Sequence, residues 1–396
     1  MSARRSTKLW ISGVLGLAVV AGLAAVVVLS TKGRGRGVPG PQASTVFDEK
    51  TSLPALAAAL RDSDARALTA LYQRTTPSAE APTPALTGED ATHYVEVLKG
   101  LRTGFLKFGT FGRSSALTVA GRVIQRFGVD PAPNSWTEAI RPAHDLLTSG
   151  LADADLNVRV TALMEISKLW SWMPGRTIPA AEENVLADWK QGFVTPVVRR
   201  LGDREPKTRA AAVACLGLLP IDSAAAPAIA YLDDPASPEV RKQVLASFAR
   251  RPALLTDDAV LQHIYDKDAS IPEVADLVLK ARGLTQEQIS LGSMIFHPKP
   301  EIRASVIPLL KERTDIDPVV WLLQLSHDAD ESVRIGAVDA LAARLSPEVG
   351  RRLAEMAATD KSSAVRRAAG KHLPESEKTA SLPPLPGSPR LNPKAN

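Results

Sequence analysis

One phrase, repeated along the chain, limits the fold more than any other feature: a polar stretch, an apolar residue, an arginine, then alanine- and leucine-rich sequence. It reads DADLNVRVTAL (153–163), DREPKTRAAAV (203–213), DPASPEVRKQVL (234–245), HPKPEIRASVI (297–307), DADESVRIGAV (328–338) and DKSSAVRRAAG (360–370). The arginines are Arg159, Arg209, Arg241, Arg303, Arg334 and Arg366, with successive gaps of 50, 32, 62, 31 and 32 residues. A degenerate copy, DASIPEVADLVL (268–279), fills the gap of 62 and carries Ala275 where the arginine would stand. A period of ~30–45 residues marks a unit that cannot bury its own faces, so its copies must stack into a solenoid.

Aligned on the residue before the arginine, each copy places an apolar or small residue four positions on: Val158/Ala162, Thr208/Ala212, Val240/Val244, Val274/Val278, Ile302/Val306, Val333/Ala337 and Val365/Ala369. That spacing puts both on one face of a helix. Asp153, Asp203, Asp328 and Asp360 each stand five residues before the anchor. There they suit a loop entering a helix N-terminus, where unpaired N–H groups and the dipole favour acids. A second amphipathic segment precedes most phrases, at 224–232, 257–265, 286–296, 318–325 and 348–358. Each unit therefore reads as a helical hairpin. The expected fold class is all-α, a right-handed α-solenoid of stacked hairpins of the HEAT/armadillo type, preceded by one transmembrane helix.

The Asp-loop-Val-Arg-x-x-Ala-Leu signature, clearest from 153 to 373, resembles the HEAT-like repeat family in its short-period form, seen in many bacterial proteins and in phycobilin lyases. In that family the loop aspartate and the second-helix arginine form a ladder between adjacent repeats. The resemblance implies a structural ladder of Asp153, Arg159, Asp203, Arg209, Arg241, Arg303, Asp328, Arg334, Asp360 and Arg366. This chain departs from the pattern at His297, in the aspartate's place, and at Ala275, so the ladder is expected to break around those units.

Upstream, residues 47–150 read as irregular hairpins that cap the stack: 53–60 with 65–72, then 94–105 with 114–127 broken by GTFG at 109–112, then 135–147 leading into the first phrase. Residues 151–373 are the repeats proper. The gap of 50 holds an insertion of roughly 18 residues over the basic period. The segment 170–193 contains Trp170, Trp172, Trp189 and Phe193, and so three of the six tryptophans. Two readings stand: an extra helix folded onto the stack with its indoles buried, or a protein-binding patch, since Trp is enriched at interface hot spots.

Residues 9–29 (LWISGVLGLAVVAGLAAVVVL) carry no charge. A helix of that length spans about 30 Å, a bilayer core. A retained anchor fits better than a cleaved signal, because no small-x-small site follows the apolar run. Basic residues flank both sides, residues 1–8 and the flexible linker 30–46, so the positive-inside rule ties. A short basic tail before a long domain suggests a single-pass protein with its solenoid outside the cytoplasm. The six Lys/Arg of residues 1–46, with no acid among them, exceed the whole-chain charge of +5, so residues 47–396 carry −1. That balance disfavours a nucleic-acid partner, which needs a basic surface. The linker's G-x-G-x-x-G match follows no strand and is no dinucleotide fingerprint. Residues 374–396 read as a disordered, proline-rich tail.

No catalytic, cofactor-binding or metal-ligating constellation is legible. The six histidines lack metal-ligand spacing, and Cys215, the one cysteine, sits in an apolar helix. The expectation is a membrane-tethered, non-catalytic scaffold that binds a protein along its repeats. The alternative is a lyase-like or other small-ligand-handling repeat protein with a pocket in the concave face, since some members of the resembled class act on tetrapyrroles or modified DNA bases.

Overall fold

Helical hairpin follows helical hairpin through the computed structural model, which describes residues 47–48, 50–76, 88–127, 135–172, 180–313 and 316–373. α1 (Leu53–Arg61) pairs with α2 (Ala65–Thr75), α3 (Gly88–Gly104) with α4 (Thr110–Phe127), and α5 (Ser135–Leu151) with α6 (Leu156–Ser171). α7 (Ala180–Gly192), α8 (Val194–Arg200) and α9 (Pro206–Gly217) make the unit with the insertion. α10 (Asp222–Ala225), prolonged by the 3-10 stretch Ala226–Asp233, precedes α11 (Pro238–Phe248). α12 (Asp257–Gln262), prolonged by His263–Tyr265, precedes α13 (Ser270–Ala281). The last pairs are α14 (Gln286–Ile295) with α15 (Pro300–Glu312), α16 (Pro318–Leu325) with α17 (Glu331–Ala342), and α18 (Pro347–Thr359) with α19 (Ser363–Lys371). No strand occurs among the described residues.

Local chemistry sets these boundaries. Asp155, Asp330 and Ser362 accept the first free N–H groups of α6, α17 and α19. Thr285 and Gln288 close a reciprocal capping box on α14. Prolines open α9, α11, α15, α16 and α18, in the first turn where a missing N–H costs nothing. Proline also explains a departure from expectation. The segment 224–232 is α-helical only to Ala225, where a single turn ends, and a 3-10 stretch with Pro227 in its first turn follows.

The second helices of the hairpins pack in series, α2 on α4, then α6, α9, α11 and α13, and again α15 on α17 and α19. The anchors seen in the sequence line this series. Val158, Ala162, Thr208, Ala212, Val240, Val244, Val333, Ala337, Val365 and Ala369 are completely buried. Each buried valine contributes about 1.5–3 kcal/mol. Ile302 is a departure, only half-buried, and in the degenerate copy the anchor positions expected at Val274/Val278 are held instead by the fully buried pair Ile271/Ala275.

Among the described residues, no helix is long and apolar enough to cross a membrane. The span expected at 9–29 lies outside them, as do the linker 30–46 and the tail 374–396.

Candidate functional site

The recurring charges form a ladder in which arginine does two jobs. Each loop aspartate first folds its own loop. Its Oδ1 accepts the N–H two residues on, as in Asp153 with Asp155 (2.8 Å), Asp203 with Glu205 (3.0 Å) and Asp328 with Asp330 (2.7 Å). The arginine six residues after that aspartate turns back over the loop. Arg159, Arg209, Arg303, Arg334 and Arg366 each donate from one terminal nitrogen to two carbonyls of their own loop. The remaining guanidinium edge faces the next unit.

There it meets the next aspartate in a two-point pair. Arg209 bonds Asp234 (2.8 and 3.3 Å), Arg241 bonds Asp266 (2.9 and 2.8 Å), Arg303 bonds Asp328 (2.6 and 2.7 Å), and Arg334 bonds Asp360 (2.9 Å twice). Arg159 spans the insertion to reach Asp203, with Nε at 2.9 Å and the second nitrogen donating at 3.1 Å. This planar fork matches a carboxylate as lysine cannot. The aspartates respond. Burial pushes the Asp266 and Asp360 carboxyls up, but loop N–H groups and the facing arginines outweigh it and hold both below the ordinary value.

Two rung residues escape the sequence pattern. Arg113, at the start of α4, pairs with Asp153 (2.6 Å) and donates to Phe108, extending the ladder into the irregular first half. Its own loop is the GTFG stretch, which has no aspartate to announce it. In the degenerate copy the rung acid is Asp266, two residues before the phrase begins, while Asp268 binds the Ser270 N–H. A legible signal exists in D-x-D and D-x-S. The first residue pairs backward to the previous arginine, and the second caps the helix ahead, as at Asp328-x-Asp330 and Asp360-x-Ser362.

A second arginine series lies at the other end of these helices. Arg251, Arg282, Arg313 and Arg344 follow one another every 31 residues. Arg251 donates to Leu219 O (2.8 Å) and pairs with Asp222, while Arg282 donates to Ala249 O (2.7 Å) and pairs with Asp257 (2.7 Å). Each caps the carbonyl end of the preceding second helix, where a cation is favoured. Arg313 continues the series towards Glu287 at 3.6 Å.

The tryptophan-rich insertion folds onto the stack. Trp170, Trp189 and Phe193 are 6%, 7% and 0% exposed, so three of the four residues considered for a binding patch lie in the core, and Trp172 is half-buried against it. Trp170 donates its indole N–H to Lys190 O (3.0 Å), and Lys190 returns bonds to Trp170 O and Trp172 O at the end of α6. Phe193 stacks with His144 and meets Trp189 edge-on. An aromatic count carries no information about which way rings face, and here they bind α7 to the body.

Among the described residues, no group of three or more His, Cys, Asp or Glu is placed to hold a metal ion. Burial pushes the Cys215 thiol up to about 12, and Ser167 only partly offsets this, so the thiolate is not accessible near neutrality. Glu165 on α6 is buried against Gly121 of α4, and burial raises its pKa despite Lys168, 2.7 Å away. A carboxyl whose folded pKa is raised stabilises most below its unfolded value, near 4.5, and that contribution is lost as pH rises through the folded value. Glu165→Gln is therefore expected to raise the thermal midpoint by a few degrees at pH 7.5 and to leave it unchanged at pH 4. A midpoint that falls at pH 7.5 would show that the Lys168 pair outweighs burial.

The architecture is that of a HEAT/armadillo-like helical repeat protein. Residues 290–374 match the family model for HEAT repeats. No curated protein matches the chain. Among solved structures, an engineered protein is similar, with TM-score 0.38 and 16% identity over 84% of this chain and 90% of that one. A designed armadillo repeat protein in complex with the peptide (KR)4 gives TM-score 0.34 and 18% identity over 74% and 99%. A structure of tubulin recruitment by microtubule polymerases with TOG domain arrays gives TM-score 0.35 and 12% identity over 79% and 74%.

Proposed function

We propose that this chain is a non-catalytic scaffold, held at a membrane by residues 9–29, that binds a protein partner along its repeats. The observation that carries this reading is the ladder. The ionisable residues that recur are committed to joining unit to unit, so what distinguishes one unit from another is its outward side chains. Several of those are apolar. Leu106 and Phe111, in and just after the connection between α3 and α4, are 79% and 72% exposed, and Val320 on α16 is 63% exposed. Large apolar side chains turned to solvent are the raw material of interface anchors.

The test uses the full chain in its own membranes, with crosslinking followed by affinity capture. A reproducible protein partner, lost on Phe111→Asp or Val320→Asp while melting is unchanged, is the expected result. Deleting residues 9–29 is expected to move the chain to the soluble fraction. A co-purifying small chromophore or other ligand, with no protein partner, overturns the scaffold reading in favour of the lyase-like one.

A further inference from the structure

We infer that the repeat array hinges at the joint between the α12–α13 and α14–α15 hairpins, where one rung of the ladder is missing.

The arginine missing from α13 and the aspartate missing at His297 look like two separate faults, but the ladder's connectivity makes them one. In the structure the arginine's place is held by Pro272: the fully buried Ile271 stands five residues after Asp266 as the anchor, and 272 lies 31 residues after Arg241 and 31 before Arg303. A rung joins the arginine of one unit to the aspartate of the next, so the absent arginine at 272 and the absent aspartate at 297 belong to the same rung. His297 keeps half of the aspartate's work. Its Nδ1 accepts the Lys299 N–H at 3.0 Å, as the aspartate carboxylates accept theirs, so the loop stays folded. The tie to the previous unit is what is lost. With both partners gone together, neither charge is left buried and alone, which is the costly state.

Packing fails at the same place. The series of second helices runs unbroken from α2 to α13 and resumes from α15 to α19, but α13 and α15 are not among the packed pairs. The anchor beyond the joint, Ile302, is only half-buried, and Leu309 on the same helix is 45% exposed. The hydrophobic core divides here too. One cluster runs from Leu53 to Ile289 and a second from Leu291 to Ala369. The stretch that matches the HEAT family model, 290–374, begins at that division.

The first-helix side of the joint remains closed. Leu261 of α12 lies so near Gly292 of α14 that a Cβ there would meet its methyl at 2.9 Å. The Tyr265 ring stands edge-on to His297 with centroids 4.9 Å apart, and its hydroxyl lies 3.4 Å from Ser293 Oγ. Phe296 packs against both cores. A joint closed along α12–α14 and open along α13–α15 has its axis on the closed side. Two rigid packed bodies then turn about a few contacts, the usual anatomy of a hinge on the microsecond-to-millisecond scale.

The test reads distance distributions between spin labels on the full chain in mild detergent. Asn157, Glu239 and Glu301 are exposed and occupy equivalent positions, each one residue before a helix anchor. The pair Glu239→Cys/Glu301→Cys crosses the joint. The pair Asn157→Cys/Glu239→Cys spans as many units without crossing it. Native Cys215 is buried and does not take the label. The crossing pair is expected to give a distribution at least twice as wide as the control. Pro272→Arg/His297→Asp, which restores the rung, is expected to narrow it to the control's width. Equal widths in the parent chain overturn the hinge, and that comparison stands even if the double variant does not fold. A folded double variant that stays broad overturns the missing rung as its cause.

Discussion

Arg241→Ala is expected to cost about 3–5 kcal/mol of stability, the penalty for removing one partner of a buried ion pair. Arg241 is 4% exposed, and Asp266 across the unit boundary is nearly as covered. The substitution removes both charge-assisted bonds to Asp266 and the bond to Asp234 O (2.8 Å). Asp266 is left facing a cavity with only the Asp268 N–H (2.9 Å) and His263 (3.5 Å) beside its charge. Arg366 provides the contrast. Among the described residues it makes only the return bonds to its own loop, to Asp360 O and Lys361 O, from a half-exposed position. Arg366→Ala is expected to cost about 1 kcal/mol, the worth of ordinary hydrogen bonds. Replacing both members, Arg241→Met with Asp266→Leu, is expected to recover much of the loss, since an apolar pair avoids desolvating two charges. Urea unfolding followed by circular dichroism measures all three. Equal losses at Arg241 and Arg366 would show that the rungs are geometry without energy.

Two of these rungs contribute to the acid limit of the fold. Asp266 and Asp360 have folded pKa values below 3.8, the ordinary value from which they depart. A carboxylate lowered in this way stabilises the fold at all pH above its unfolded value, and the contribution fades as pH falls through the folded one. Stability is therefore expected to hold down to about pH 4 and to drop below it. In Arg241→Ala, the Asp266 share of that drop should shrink.

The repeat was legible because its parts lie within a dozen residues of each other. Spacing alone placed Val158 and Ala162 on one helical face, and Asp153 and Arg159 at one loop. What joins two units was not legible by the same means. Arg113 reaches Asp153 across a whole hairpin, and its own loop lacks the aspartate that would mark it. The degenerate copy has no arginine to set its register, so its anchor was expected at Val274, three residues beyond the buried Ile271 that stands five residues after Asp266. A missing arginine and His297 were visible as departures, but the arginine's true place at Pro272 and the rung's connectivity were needed to see one loss. The tryptophans of the insertion fail for another reason. A ring that is buried and a ring that binds a partner share the same composition, and only packing against α6 and His144 separates them.

Close backbone approach is the other feature hidden from composition, and it carries the second large effect. α1 lies on α3 along Gly100 and Gly104, four residues and so about one turn apart on the same face. A Cβ on Gly104 would fall onto the Leu60 carbonyl oxygen, and one on Gly100 would come within 2.6 Å of Ala57 O. Neither obstacle can turn away, because both are backbone. Ser63 reinforces the contact by donating its hydroxyl to Gly104 O at 3.2 Å. Gly104→Ala is the smallest change available, yet it must push α1 off α3 and loosen Leu56 and Leu60, both fully buried. The expected cost is at least about 3 kcal/mol, the upper end for overpacking, even though alanine favours a helix by ~1 kcal/mol over glycine. Gly350, inside α18, meets nothing within 4 Å. There Gly350→Ala is expected to stabilise by about 0.5–1 kcal/mol. Opposite signs for the same substitution in two helices of one chain would locate the effect in the α1–α3 contact. If Gly104→Ala also stabilises, the two helices do not approach as closely as the packing of the first hairpins requires.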